Sequence, residues 1–320
     1  MSVSAEFLER SAAETGYRPI ALEKVIRLGE LARDAAHHPL LGTVLALKGG
    51  TALNLCYGTG PTRLSVDLDF NYIGHADRER MLKDRPRVEQ AVEDLARRLG
   101  YRVQRSKDAF AGRKLYLTYQ SVLGPKDRIE VDLNFLLRVP LDGTQPREMW
   151  QPDELDRPTV RVVSTMEMWI GKLLALLDRA TPRDAWDVAR LPELAGEKVA
   201  DLRFRRHFIA LAATLDHPLE MYDRERLESR VTDRAVTEQL APMLAVPHPP
   251  GATELVESAW SVAEPLLTLE ENEREYISGI HRGDARVDLL FPEEPETAGR
   301  IAEHPAIQWK LRNVRNHLAD

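Results

Sequence analysis

The chain of 320 residues has a single cysteine, Cys56. One thiol excludes an internal disulfide framework and a cysteine-based zinc site, and it fits a reducing, cytoplasmic setting. Long apolar runs are absent as well. The most apolar stretch, Leu40–Leu47, falls far short of the about 20 residues that a bilayer span needs, so no membrane partner is expected. The opening Met-Ser-Val-Ser-Ala-Glu-Phe-Leu-Glu-Arg has neither the basic nor the apolar segment of a signal peptide. An excess of positive charge is also missing. A net charge of −7 leaves no global footprint for nucleic acid, so any contact with RNA needs local basic patches. Three such patches exist, at Arg78–Arg87, at Arg203–His207 and at Arg300–His317. The histidines lack metal-ligand spacing, and the tryptophans are spread singly and read as core. No internal repeat or low-complexity tract occurs.

What is present is an ordinary globular composition, 43% hydrophobic and 30% charged, in a chain long enough for two domains. Its most informative stretch runs from Lys48 to Asn71. Leu64, Val66, Leu68 and Phe70 alternate with Arg63, Ser65, Asp67, Asp69 and Asn71. Strict period 2 predicts a half-buried strand. It puts Asp67 and Asp69 on one face, roughly 7 Å apart. Like charges so placed repel, and a divalent cation with oxygen ligands removes the conflict. The pair is therefore a candidate magnesium site.

The strand is preceded by a glycine turn. A buried strand at Gly42–Leu47 is expected to end at Lys48-Gly49-Gly50, with a short helix over Thr51–Tyr57. Two glycines at a helix N-terminus permit close backbone approach, so amide N–H groups there can face a phosphate. The familiar phosphate loops do not match. Nothing after Gly49 or Gly50 supplies the Lys-Ser/Thr end of a Walker A loop, and Arg63 occupies the position where a dinucleotide fingerprint needs a small residue. Gly58-Thr59-Gly60-Pro61 makes the turn into the aspartate strand.

Around this stretch, helices are expected at 3–15, 19–38 and 78–99, with a kink or a late start at Pro86, and strands near 101–105 and 114–119. Arg128–Phe135 alternates as cleanly as the first acidic strand, with Glu130, Asp132 and Asn134 on its polar face. It offers a third carboxylate. Pro140–Pro146 reads as the domain boundary. Beyond Ser164 the pattern is helical, at 165–177 (capped by Ser164 or Thr165), 182–191, 201–215, 223–244, 253–268, 270–280 and 297–317. Pro247, Pro249-Pro250-Gly251 and Pro292 to Pro295 mark breaks. Lys172 lies within an apolar helical run, where a snorkelling lysine is the ordinary explanation. Arg183-Asp184-x-x-Asp187 opens a helix, where acidic residues also suit the dipole.

Four segments resemble the AbiEii/AbiGii-type nucleotidyltransferase toxins of the DNA polymerase β-like superfamily. They are Lys48-Gly49-Gly50-Thr51-Ala52-Leu53 with Arg63-x-Ser65-x-Asp67-x-Asp69, then Ile129 to Asn134, the helix around Lys172, and Arg183-Asp184-x-x-Asp187. The resemblance covers roughly residues 40–190. It implies an α/β fold: a nucleotidyltransferase lobe with a mixed sheet over 1–145, and a mainly helical lobe over 146–320 that brings Lys172 and Asp184 to the cleft. It further implies that Asp67 and Asp69 hold one or two Mg2+ ions. Asp132, with Glu130 as the alternative, completes the set and helps deprotonate an attacking hydroxyl. Lys48, Gly49, Gly50 and Thr51 cradle the triphosphate of an NTP, Arg63 or Ser65 reaches it from the strand, Lys172 neutralises developing charge, and Asp184 positions Lys172 or the acceptor. The implied reaction moves an NMP to an acceptor hydroxyl, the 3′ end of tRNA, under control of a cognate antitoxin. A protein side chain or small molecule as acceptor, and a non-catalytic nucleotide-binding protein, are the alternatives.

Overall fold

The computed structural model describes residues 3–319 apart from 59, 108, 110, 153–154, 196–200 and 246–247. Thr59 of the glycine turn and Pro247 thus lie outside the described residues. The chain divides into two compact units, one comprising Met1–Met168 with Ala241–Pro249 and the other Trp169–Leu240 with Pro250–Asp320.

The first unit is built on a seven-stranded mixed sheet of order β3-β4-β5-β2-β1-β7-β6. The strands are β1 Leu45–Lys48, β2 Asp67–Tyr72, β3 Arg102–Arg105, β4 Gly112–Gln120, β5 Lys126–Asn134, β6 Thr144–Glu148 and β7 Thr159–Val163. Its centre combines both pairing modes. β2 runs antiparallel to β1 and parallel to β5. Leu68, Phe70 and Tyr72 of β2, with Ile129, Val131 and Leu133 of β5, are buried on one face. Burial of that alternating set fixes the register, since a slip of one residue would turn every apolar side chain to the opposite side. The helices α1 Ala5–Thr15, α2 Pro19–His37, α3 Leu41–Val44, α4 Gly49–Cys56 and α5 Arg78–Arg98 complete the unit. α2 packs on β2 and β7, and α5 on β3 and β4.

Several expectations are corrected here. Residues 41–44 form a helical turn, leaving only Leu45–Lys48 extended as β1, because Gly42 and Thr43 bond back to His38 and Leu40 carbonyls. α5 continues through Pro86, which is exposed, so the Leu82 carbonyl that loses its partner can be satisfied by water. Pro140–Pro146 lies within the first unit, because Thr144–Glu148 pairs with β7 as an edge strand.

Buried acids join the helices to the sheet. Glu89 of α5 meets Arg85 at 2.7 Å and Arg113 of β4 at 3.1 Å. Glu93 meets Arg97 and, from β3, Arg105. Glu23 of α2 accepts from Ser121 Oγ and the Val122 N–H beyond β4.

The second unit is helical. α6 Thr165–Arg179 crosses into it at Trp169, and α7 Pro182–Ala189 follows. Helices Leu202–Ala212, Ala252–Leu267, Glu271–His281, Pro295–Ala302 and Pro305–Ala319 form most of the rest. The single helix expected over 223–244 is instead a chain of short segments, restarted at Asp223 and Thr232 by side-chain caps. The helix expected over 297–317 is likewise divided, at Pro305.

The Glu89 cluster gives a test of this packing. Glu89→Ala leaves two poorly exposed guanidiniums without their carboxylate and should cost on the order of 3 kcal/mol in urea denaturation. Arg97→Ala, on a half-exposed pair, should cost less than about 1 kcal/mol. Equal effects of the two would refute a buried ionic joint.

Candidate active site

The polar face of the sheet collects the acids. Register sets Asp67 beside Glu130, Asp69 beside Asp132 and Asn71 beside Asn134 across the parallel β2–β5 pair. On the other side of β2, Lys48 stands opposite Asp69. Lys114 of β4 stands opposite Asp132. Three rows of alternating strands thus deliver four carboxylates and two ammonium groups to one surface.

The two candidates for the third carboxylate differ in their partners. Glu130 is paired with Lys114 at 3.1 Å and with Arg128 at 3.2 Å. Asp132 makes no ion pair within contact distance among the described residues. Its carboxyl is held above the usual aspartate range, first by desolvation and then by repulsion from Asp69, against the pull of Lys48 and Lys114. A proton acceptor next to a metal site needs a basic, uncommitted carboxylate. Asp132 has that character, whereas Glu130 is committed to Lys114 and Arg128.

The glycine turn fits against these acids. Gly49 has φ of 72° and opens α4, and a Cβ there would collide with the Asp69 carboxylate. Only glycine lets the backbone come so close. Thr51 is fully buried, its hydroxyl bonded to Ser65 Oγ and the Asp67 carbonyl. Arg63 is 2% exposed and donates to the Leu64 carbonyl. Thr51, Ser65 and Arg63 therefore buttress the strand from within, whereas Lys48, Gly49 and Gly50 are partly open.

An all-oxygen donor set suits a hard divalent cation. Among the described residues no three acids, histidines or cysteines come together in a group that could hold a metal ion by themselves. Magnesium is typically held by one or two carboxylates plus water and substrate phosphates. An incomplete set beside a glycine turn is the fitting arrangement for an ion that arrives with a nucleotide.

The sequence matches, over residues 31–261, the family described as nucleotidyl transferase AbiEii toxin, type IV TA system. The chain belongs to the AbiEii family. Its fold is that of MenT4, a nucleotidyltransferase toxin from Mycobacterium tuberculosis H37Rv, with a TM-score of 0.66, 19% identity, and coverage of 94% of this chain and 99% of that one. No curated protein matches the sequence. No described helix is long and apolar enough to cross a membrane.

In this AbiEii protein, Lys172 and Asp184 lie in the second unit, and they do not pair with each other. Lys172 Nζ bonds Asp187 at 2.6 Å, with side-chain exposures of 6% and 0%. Asp184 instead takes Arg179 at 2.8 Å and the Thr181 hydroxyl at 2.7 Å. Of the basic patches, Arg85, Arg205 and Arg206 are bound to acids and His207 is buried. Cys56 is buried and its thiol is pushed up to about 12, as an inert core residue should be.

The structure adds one residue that the sequence reading passed over, Glu167. Ser164-x-x-Glu167 has the form of a capping box, and Ser164 Oγ does accept the Glu167 N–H. The Glu167 carboxylate, however, reaches across the polar face and accepts from Asn71 Nδ2 at 3.2 Å and the Leu141 N–H at 2.9 Å. Desolvation raises its pKa to about 7, against those two hydrogen bonds and nearby Lys48. The signal was the polar Asn71 continuing the Asp67–Asp69 face, which needs a partner once buried.

This shift predicts a pH dependence. With a folded pKa above the unfolded one, Glu167 contributes most stability below about pH 4.5. That contribution falls as pH rises and is gone above about pH 7. In EDTA, the stability difference between wild type and Glu167→Gln should change by on the order of 2 kcal/mol over that window. A pH-independent difference would disprove the raised pKa.

Proposed function

We propose that this protein transfers a nucleoside monophosphate from an NTP to an acceptor hydroxyl, in a magnesium-dependent reaction that releases pyrophosphate. The observation that carries the proposal is the packing of the Gly49 backbone against Asp69, with Asp132 one strand away. A phosphate bound at the turn would then neighbour a metal bound by Asp69, as nucleotidyl transfer requires.

The roles follow from the surface. Asp67 and Asp69 would hold the metal, with Asp132 completing the set. When bound, the metal supplies charge neutralisation at the phosphate oxygens. Backbone N–H groups of Gly49 and Gly50, at the start of α4, orient the triphosphate, and the Lys48 ammonium adds positive charge beside them. Asp132 accepts the proton of the acceptor hydroxyl as its oxygen forms a bond to the α-phosphorus. The bond from that phosphorus to the bridging oxygen breaks, and its electron pair leaves with pyrophosphate. Thr51, Ser65 and Arg63 serve by fixing the strand and the turn. Lys172 and Asp184 enter the proposal through the family motif, each held by an ion pair of its own.

The acceptor we propose is the 3′ end of tRNA, and the regulator a cognate antitoxin. The family's toxin–antitoxin setting supports both, because blocking tRNA charging would halt translation. Purified protein with magnesium, total tRNA and each α-labelled NTP in turn should label the RNA, while Asp67→Ala should lose at least 100-fold in rate. RNA left unlabelled with all four NTPs would overturn the tRNA acceptor, and protein or small-molecule labelling would redirect it. Full activity in Asp67→Ala would overturn the metal site.

A further inference from the structure

A cavity of about 320 Å3 lies at the far end of α4, lined among others by Asn54, Tyr57, Arg147, Glu148, Trp150 and Arg157. It is prebuilt. Tyr57 donates its hydroxyl to the Val163 carbonyl at 2.8 Å and accepts from Gln145 Nε2 at 2.8 Å. Gln145 Oε1 in turn accepts from Arg147 at 3.3 Å, and the Arg147 guanidinium lies 4.8 Å from the centre of the Tyr57 ring. The backbone N–H of Trp150 bonds the Leu55 carbonyl at 2.6 Å, and its ring is held by edge contact with Tyr17. Side chains set in place this way lose little freedom when a ligand binds.

Charge distinguishes this cavity. Arg85 of α5, Arg105 of β3 and Arg113 of β4 are neutralised by Glu89 and Glu93. Arg147 and Arg157 are exposed and make no ion pair among the described residues. Unneutralised guanidiniums beside half-buried aromatic rings match the two parts of a nucleotide. Arginine binds phosphate with its planar fork, and bases stack on aromatic rings and guanidinium planes. The volume suits one nucleotide unit rather than a long ligand.

Position relates this cavity to the acidic face. α4 has eight residues, Gly49 at its start and Tyr57 just beyond its end. At 1.5 Å per residue the two ends are about 12 Å apart. Stacked nucleotides rise about 3.4 Å each, so the interval holds roughly three or four.

We propose that this cavity is a subsite for one nucleotide of a single-stranded RNA acceptor, its base met by Trp150 and the Tyr57-backed Arg147 and its phosphate by Arg157. This inference rests on the nucleotidyl-transfer reading above. It places the subsite a few nucleotides upstream of the hydroxyl that reacts.

The test uses the full chain and a fluorescent eight-nucleotide RNA, without NTP or metal, in anisotropy titrations over a range of salt. The Arg147→Ala/Arg157→Ala double variant should bind at least tenfold more weakly. Its salt slope should be shallower by about 0.7 for each phosphate that is no longer neutralised. Binding of magnesium–NTP, measured separately, should stay unchanged. Wild-type affinity for RNA in the variant overturns the inference, as does displacement of the strand by CMP at concentrations equal to the RNA, which would mean a free-nucleotide site. A parallel labelling assay keeps the two readings apart. If wild type fails to label RNA but the variant still loses RNA binding, the transfer reading falls and the subsite stands. If wild type labels RNA and the variant binds and is labelled equally well, the subsite falls and the transfer reading stands.

Discussion

The constraint on which this protein depends is the repulsion between Asp69 and Asp132, set side by side on adjacent parallel strands. The arrangement follows from burial on the opposite face. Burial of Leu68, Phe70, Val131 and Leu133 excludes a one-residue slip, and the register adopted sets the carboxylates side by side. The hydrophobic gain of the core, about 1.5–3 kcal/mol for each fully buried large side chain, outweighs a repulsion that solvent partly screens. The acidic surface is thus held by the apolar one.

How the remaining charges are distributed gives this surface its chemistry. Lys114 and Arg128 are committed to Glu130, which leaves that carboxylate neutralised in the free protein. Lys48 is in no ion pair among the described residues. It draws down the pKa of both Asp132 and Glu167 without closing on either as an ion pair among the described residues. A lysine left between two acids, next to a turn of two glycines, is available to a phosphate in a way that a paired lysine is not.

The sequence displayed this face because alternation is a local property. Period 2 over Arg63–Asn71 and over Arg128–Phe135 needs no tertiary information, and the glycine at 49 is explained by the close approach to Asp69. What stayed hidden depends on contacts across long stretches of chain. β6 contains Pro146 and three exposed residues, so it lacks a strand signature and exists because β7 offers it a ladder. Glu167 is 96 residues from Asn71, and its capping-box spacing pointed to a local role. Arg63 and Ser65 have the polarity of the acid face, yet they precede the strand and turn inward, which no periodicity could reveal.

The Arg183-Asp184-x-x-Asp187 segment has a structural reason for its composition. Ala180, buried with φ of 52°, reverses the chain between α6 and α7. Across that turn Asp187 receives Lys172 and Asp184 receives Arg179, two ties three residues apart on one helix face. Removing either aspartate leaves a cation without its partner, so loss of activity in such a variant mixes damage to the fold with damage to the chemistry. Arg183, half-buried and in no ion pair among the described residues, is free of that ambiguity. Within the motif it is the charged residue whose substitution reads function most directly.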